Sequence, residues 1–146
     1  MRGMSPIVQV VTRLMAGMLL LYGGYIIVHG HLTPGGGFAG GVLVAAALIL
    51  VSLAFGSVEQ VERKEYLLSS VFESLGGLFF VSLALAGYFA VEIFFRNTGV
   101  FFLGKPLELV SGGLIPLANI AIGVKVGAGL FAVFLALGAS RFVMKE

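Results

Sequence analysis

Residues 14–58 read LMAGMLLLYGGYIIVHGHLTPGGGFAGGVLVAAALILVSLAFGSV, without one Asp, Glu, Lys or Arg. About 20 apolar residues cross a bilayer as a helix, so the stretch holds two crossings if the chain turns midway. His29-Gly-His-Leu-Thr-Pro-Gly-Gly-Gly-Phe38 supplies that turn, because Pro34 and the run Gly35, Gly36, Gly37 disfavour continuous helix. One helix is expected over 7–28 and a second over 38–55. Ser5 and Pro6 provide an N-cap and a first-turn proline for the first. Gly56 closes the second.

The rest of the chain extends the pattern. Residues 57–66, SVEQVERKEY, hold five charges in ten positions and predict a loop or interfacial turn. A third helix is expected over 67–95, with Glu73 near its start and Glu92 near its end, stopped by Arg96-Asn97-Thr98-Gly99. The connection 100–113 is apolar for a loop, so it packs on protein or rests in the membrane interface. A fourth helix is expected over 114–138, with Lys125 near its middle and Arg141 and Lys145 just beyond. The predicted fold is all-α: an integral membrane protein of four transmembrane helices in one domain, 1–146.

Composition agrees with this. The chain of 146 residues is 59% hydrophobic and 11% charged, with a mean hydropathy of +1.09, where a soluble domain carries about 25% charge. It has no Cys, Trp or Asp, and only two His and seven Glu. Disulfide, thiol, iron–sulfur and most zinc arrangements are therefore beyond this chain alone, and no cofactor or metal is expected. Nothing clusters a nucleophile with a base, which argues against an enzyme. The net charge is +2, but Lys and Arg are scattered apart from Arg63-Lys64, so no nucleic-acid footprint forms. The first apolar run reaches Val28, longer than a 7 to 15 residue signal-peptide core, and is expected to be a retained helix.

Orientation follows from counting Lys and Arg, which are enriched in short cytoplasmic loops. Arg2, Arg13, Arg63, Lys64, Arg141 and Lys145 share one side, against Arg96 and Lys105 on the other. Both termini are expected in the cytoplasm of a multi-pass protein of the cell membrane, with the 29–38 loop outside. Arg13, two turns into the first helix, snorkels or marks the interface.

Lys125 is the sharpest signal, because an amine at the bilayer centre costs roughly 2.5–3.5 kcal/mol. Glu73 lies about 10 Å inward from Tyr66, and Lys125 about 16 Å inward from Leu114 on the opposite side. A core about 30 Å thick places them within one turn in depth. They form part of a proton or cation path, or they are a structural pair, or Lys125 reaches a carboxylate on a neighbouring subunit. Glu92 is about 28 Å along the helix from Glu73, too far for a dyad, and its simplest partner is Arg96 at i+4.

His29 and His31 alone are a weak metal signature. Gly35–Gly37 could form an anion nest but lacks the Lys and Ser/Thr of a nucleotide loop. The economical reading is steric: Gly36 with Gly40, and Gly37 with Gly41, bare one face of the second helix. Gly123 and Gly127, followed by Gly129, do the same around Lys125. These glycine faces are expected to make tight contacts with other subunits.

The segment His29, Gly30, His31, Leu32, Thr33, Pro34, Gly35, Gly36, Gly37, Phe38, Ala39, Gly40, Gly41 resembles the signature of the B subunit of Mrp (Mnh) multisubunit sodium/proton antiporters. Asn119-Ile-Ala-Ile-Gly-Val-Lys-Val-Gly-Ala-Gly-Leu130 is similar to versions of that subunit in archaeal membrane-bound hydrogenases and related sulfur-reducing complexes. The resemblance implies a small non-catalytic subunit in an assembly of membrane proteins that moves Na⁺ and H⁺, with any redox chemistry in other chains. It supplies no settled catalytic residue. The alternatives are a structural scaffold subunit and a self-contained four-helix transporter. Small exporters of the latter kind need a glutamate in the first helix, where this chain has Arg13 and no acid.

Overall fold

Ser5 and Pro6 start the first helix, as their chemistry predicts. The Val8 N–H donates to Ser5 Oγ at 3.5 Å, and Pro6 opens α1, Pro6–His29. A computed structural model describes residues 3–56, 63–97, 100–105, 107–109 and 111–143, giving the backbone alone for 63, 64 and 139–143. Three further helices follow: α2 (Gly37–Phe55), α3 (Arg63–Val91) and α4 (Leu114–Val143). All four are long and apolar enough to cross a membrane. Arg2, the polar turn at 57–62, Thr98-Gly99 and Lys145 lie outside the described residues, as do the side chains of Arg63, Lys64 and Arg141.

The turn between α1 and α2 works through backbone geometry that side-chain-bearing residues avoid. Gly35 and Gly36 have φ of 141° and 93°, open to glycine because it lacks Cβ. At its other end α2 closes on Gly56, left-handed at φ 71°, whose N–H reaches back to Leu53 and Ser52 carbonyls.

α3 departs from expectation at both ends, running 63–91 and not 67–95. Glu92 takes a left-handed φ of 58°, and the chain doubles back across the last turns of α3. The Phe95 N–H then meets the Ala84 carbonyl at 3.3 Å, and its ring packs on Phe80 with centroids 5.3 Å apart. Gly87 makes room, since a Cβ there would lie 2.6 Å from Arg96 N. Glu92 is therefore not on the helix, and the i,i+4 geometry expected with Arg96 does not exist.

The helices do not close into a symmetric bundle. α4 is central, with α2 packed on one side and α3 on the other, while α2 and α3 do not touch; α1 packs on α2 and grazes α4. Small residues make these contacts. The buried apolar positions are mostly alanines, such as Ala45, Ala47 and Ala121, and Leu135 is the one large side chain fully buried among the described residues. Large apolar side chains point outward instead, as with Ile7, Leu21 and Phe89, which suits lipid or protein neighbours better than water.

Glycines set how near the backbones come. A Cβ on Gly40 would meet the Gly23 carbonyl at 2.6 Å, and one on Gly41 would meet the Gly123 carbonyl at 2.7 Å and Gly127 N at 3.1 Å. A Cβ on Gly37 would collide with the Asn119 carbonyl, and one on Gly123 would lie 2.7 Å from Ile27 Cδ1. The bare faces expected to meet other subunits are thus occupied within the chain, α2 against α1 and α4.

The start of α4 is held from a distance. Asn97 Oδ1 accepts from the Leu114 N–H at 2.8 Å, and its Nδ2 donates to the Gly112 carbonyl at 3.1 Å. Capping side chains of this type contribute about 1 kcal/mol. Asn97→Ala is expected to lower the unfolding midpoint of the purified protein by a few degrees, read by thermal denaturation in detergent, with Asn97→Asp recovering part of the loss.

Candidate functional site

α3 and α4 run antiparallel, so a residue early in one faces a residue midway along the other. Two anchors fix their register. Ser69 Oγ donates to the Ala128 carbonyl at 2.7 Å, and Gly76 lets the backbones nearly touch, since a Cβ there would lie 2.8 Å from Lys125 N. Between these anchors the structure brings together the two charges expected at mid-membrane depth. Lys125 Nζ lies 3.5 Å from Glu73 Oε1.

The setting of the pair is bare backbone. A Cβ on Gly77 would sit 3.7 Å from Lys125 Nζ, and one on Gly129 would sit 3.3 Å from Glu73 Cδ. Each charged side chain therefore lies across a glycine of the opposite helix. The side chains are 51% exposed for Lys125 and 40% for Glu73, so the pair sits on an open flank of the α3–α4 seam. The separation exceeds the roughly 2.7–2.9 Å of a direct charge-assisted hydrogen bond. This is a loose pair with unused hydrogen-bonding capacity, able to exchange partners.

On the opposite flank the gap between α2 and α3 forms a cleft of roughly 520 Å³ floored by α4, with Val44, Leu48, Leu68, Phe72, Val124 and Phe131 among its walls. Glu65 and the hydroxyls of Ser52 and Ser69 are its polar elements. Neither Glu73 nor Lys125 lines it.

The histidine and glycine turn lies at the end of the molecule where α1 finishes and α4 begins. His29 and His31 do not converge. His29 stacks on Tyr25 with centroids 4.1 Å apart and places Nδ1 3.1 Å from the Tyr25 carbonyl. His31 lies against Gly112, and both its ring nitrogens are buried without a hydrogen-bond partner. Pro34 is exposed, as is Phe38 at the first turn of α2. Gly30, Gly36 and Gly37 surround Asn119, whose Oδ1 accepts from the Gly37 N–H at 3.3 Å and whose Nδ2 is buried without a partner. Arg13 bends back toward the start of α1, with its guanidinium 4.9 Å from the centre of the Phe55 ring, in the way a snorkelling side chain leaves a membrane interior.

Reasoning from sequence missed Asn119 as the residue that ties the glycine turn to α4, and missed Gly76 and Gly77 beneath the pair. The second omission had a signal: a glycine doublet inside a helix costs about 1 kcal/mol per residue, so it needs a packing reason.

With this geometry in hand, the relatives of the chain can be placed. A family model described as a domain related to the MnhB subunit of Na⁺/H⁺ antiporters matches residues 7–132. The chain belongs to the MnhB family. Its relatives include an uncharacterized protein of Methanocaldococcus jannaschii, 34% identical over 97% of this chain and 55% of that protein. A Staphylococcus aureus protein named as antiporter subunit mnhB2 is 40% identical over 42% of this chain and 44% of its own length. Among solved structures, a chain of the membrane-bound sulfane sulfur reductase, an archaeal respiratory membrane complex, superposes with a TM-score of 0.75 at 34% identity. That match covers 91% of this chain and 57% of the other. This MnhB-family chain thus spans about half the length of the relatives it matches most fully. It is a multi-pass membrane protein, and the family match reaches into all four helices, including both members of the charged pair.

Proposed function

We propose that this chain is a non-catalytic membrane subunit of an Mrp-type cation/proton antiporter module, acting inside a larger assembly at the cell membrane. The assembly is a stand-alone antiporter or the antiporter-like part of a redox-driven complex, of the sulfur-reducing or hydrogenase kind. Both termini face the cytoplasm on the count of basic residues. The observation that carries the reading is the half-open Lys125–Glu73 pair, 3.5 Å apart, and helix rise gives it a mid-membrane depth.

An intramembrane ionisable residue is costly, and its usual use is in an ion pathway or proton relay. The pair can respond to a cation or proton arriving from an adjoining subunit. A positive charge drawing Glu73 away leaves Lys125 without its counter-charge, and the return of Glu73 restores the pair. The identity of the transported ion is set by the assembly, with Na⁺ and H⁺ the expected pair.

The test is ion exchange in vesicles containing the assembled complex. Lys125→Ala and Glu73→Gln are each expected to lower Na⁺-dependent proton exchange at least tenfold per assembled complex, and Lys125→Arg to retain part of it. Unchanged exchange after neutralising both residues would instead support a structural scaffold. Identifying the chains that co-purify decides which parent complex is present.

A further inference from the structure

We infer that the α3–α4 flank bearing Lys125 and Glu73 is covered, in the assembled complex, by a membrane-spanning helix of another subunit that brings an acceptor oxygen to Lys125. This rests on the reading of the chain as one subunit of a membrane assembly, and adds which face docks and by what chemistry. Lys125 lies near the centre of the Leu114–Gly138 span. Its amine points across to α3 and Glu73, not toward either end of the helix, so it does not reach a headgroup. Hydrocarbon offers no acceptor. An ammonium has three donors, and Glu73 engages one of them at 3.5 Å.

The surface also has the shape for a helix. Steps of four residues keep to one face of a helix, so Glu73, Gly77 and Val81 form a strip on α3, and Lys125, Gly129 and Val133 form the facing strip on α4. Gly77 and Gly129 bear no side chain, so Lys125 and Glu73 lie low across them and a third helix can pack over the pair. Val81 and Val133 are more than half exposed and flank the charges on either side. Apolar borders with a central pair short of acceptors match a helix that is apolar except for one carboxylate, hydroxyl or amide at the same depth. The cleft on the other flank has Glu65 but no such pair, and nothing singles out its occupant.

The experiment places a photo-crosslinking benzophenone amino acid at Val81 or Val133 in the full complex, in native membranes, and reads the adduct by mass spectrometry. The expected adduct maps, for most of the cross-linked material, to a membrane-spanning peptide of another subunit with Asp, Glu, Ser, Thr, Asn or Gln within one turn of the linkage. Substituting that polar residue by leucine should reproduce the loss of ion exchange seen with Lys125→Ala. Adducts of phospholipid mass, or on a wholly apolar segment, overturn this contact while leaving the assembly intact. A chain that migrates alone in native gels overturns the assembly and the contact together.

Discussion

Gly41→Leu is expected to abolish accumulation of the folded subunit in membranes, whereas Gly17→Leu and Gly24→Leu leave it near normal. The difference lies in what a side chain would meet. At Gly41 the obstacles are the Gly123 carbonyl at 2.7 Å, Val126 Cβ at 2.9 Å and Gly127 N at 3.1 Å. Two of these are backbone atoms of α4, held by the helix's own hydrogen bonds, and cannot swing aside. At Gly17 and Gly24 nothing lies within 4 Å. Overpacking a close contact costs about 1–3 kcal/mol when side chains can adjust, and here α4 itself must move away. Because α4 also carries α3, displacement by leucine would loosen both neighbours of the central helix. Immunoblotting of membranes, with thermal denaturation of whatever is purified, measures the effect. Wild-type amounts of Gly41→Leu would contradict the packing.

The second large effect concerns the charged pair as a unit. Lys125→Met alone strands a carboxylate at the mid-membrane depth expected for it, where an uncompensated charge costs roughly 2.5–3.5 kcal/mol. A loss of about 3 kcal/mol is roughly a hundredfold in an equilibrium constant. Glu73→Gln alone strands the amine and is expected to behave similarly. Combining Lys125→Met with Glu73→Gln removes both charges, leaving two side chains of comparable volume. The double variant should recover assembled complex to near the wild-type amount, with ion exchange still lost. The readouts are the amount of complex in native gels and its thermal midpoint. Losses in the single variants that simply add in the double variant would show that the two residues act independently.

Much of the fold is legible in where charges are absent. The uncharged run 14–58, broken at Pro34 and three glycines, gives two helices and the turn between them. Ser5-Pro6 marks the first start to within one residue of the expected 7. Depth along two helices is enough to bring Glu73 level with Lys125, because a rise of about 1.5 Å per residue accumulates little error over two or three turns.

The packing order was not legible, for a physical reason. α2 is apolar all round, so no stripe says which side faces which neighbour, and α4 at the centre between α2 and α3 cannot be read from periodicity. Nor do glycines announce whether they meet a helix of the same chain or of another, which is why Gly123 and Gly127 were assigned outward when they face inward. The end of α3 depends on Glu92 adopting a left-handed conformation uncommon for a residue with a side chain. Asn97 caps a helix that begins 17 residues later, a contact made by the return of the chain and absent from any local motif.

The central position of α4 bears on how the protein is made. Chains are synthesised from the N-terminus, so the helix that joins the other three emerges after all of them. α1 and α2 can pair as soon as both are in the membrane, through Gly23 and Gly40. Among the described helices α3 packs only on α4, and until α4 arrives Glu73 stands in the membrane without its lysine. The packing of these four helices is therefore incomplete until α4 is inserted. A chain truncated before residue 114 would leave an α1–α2 hairpin and a lone, acid-bearing α3 as ready substrates for membrane quality control.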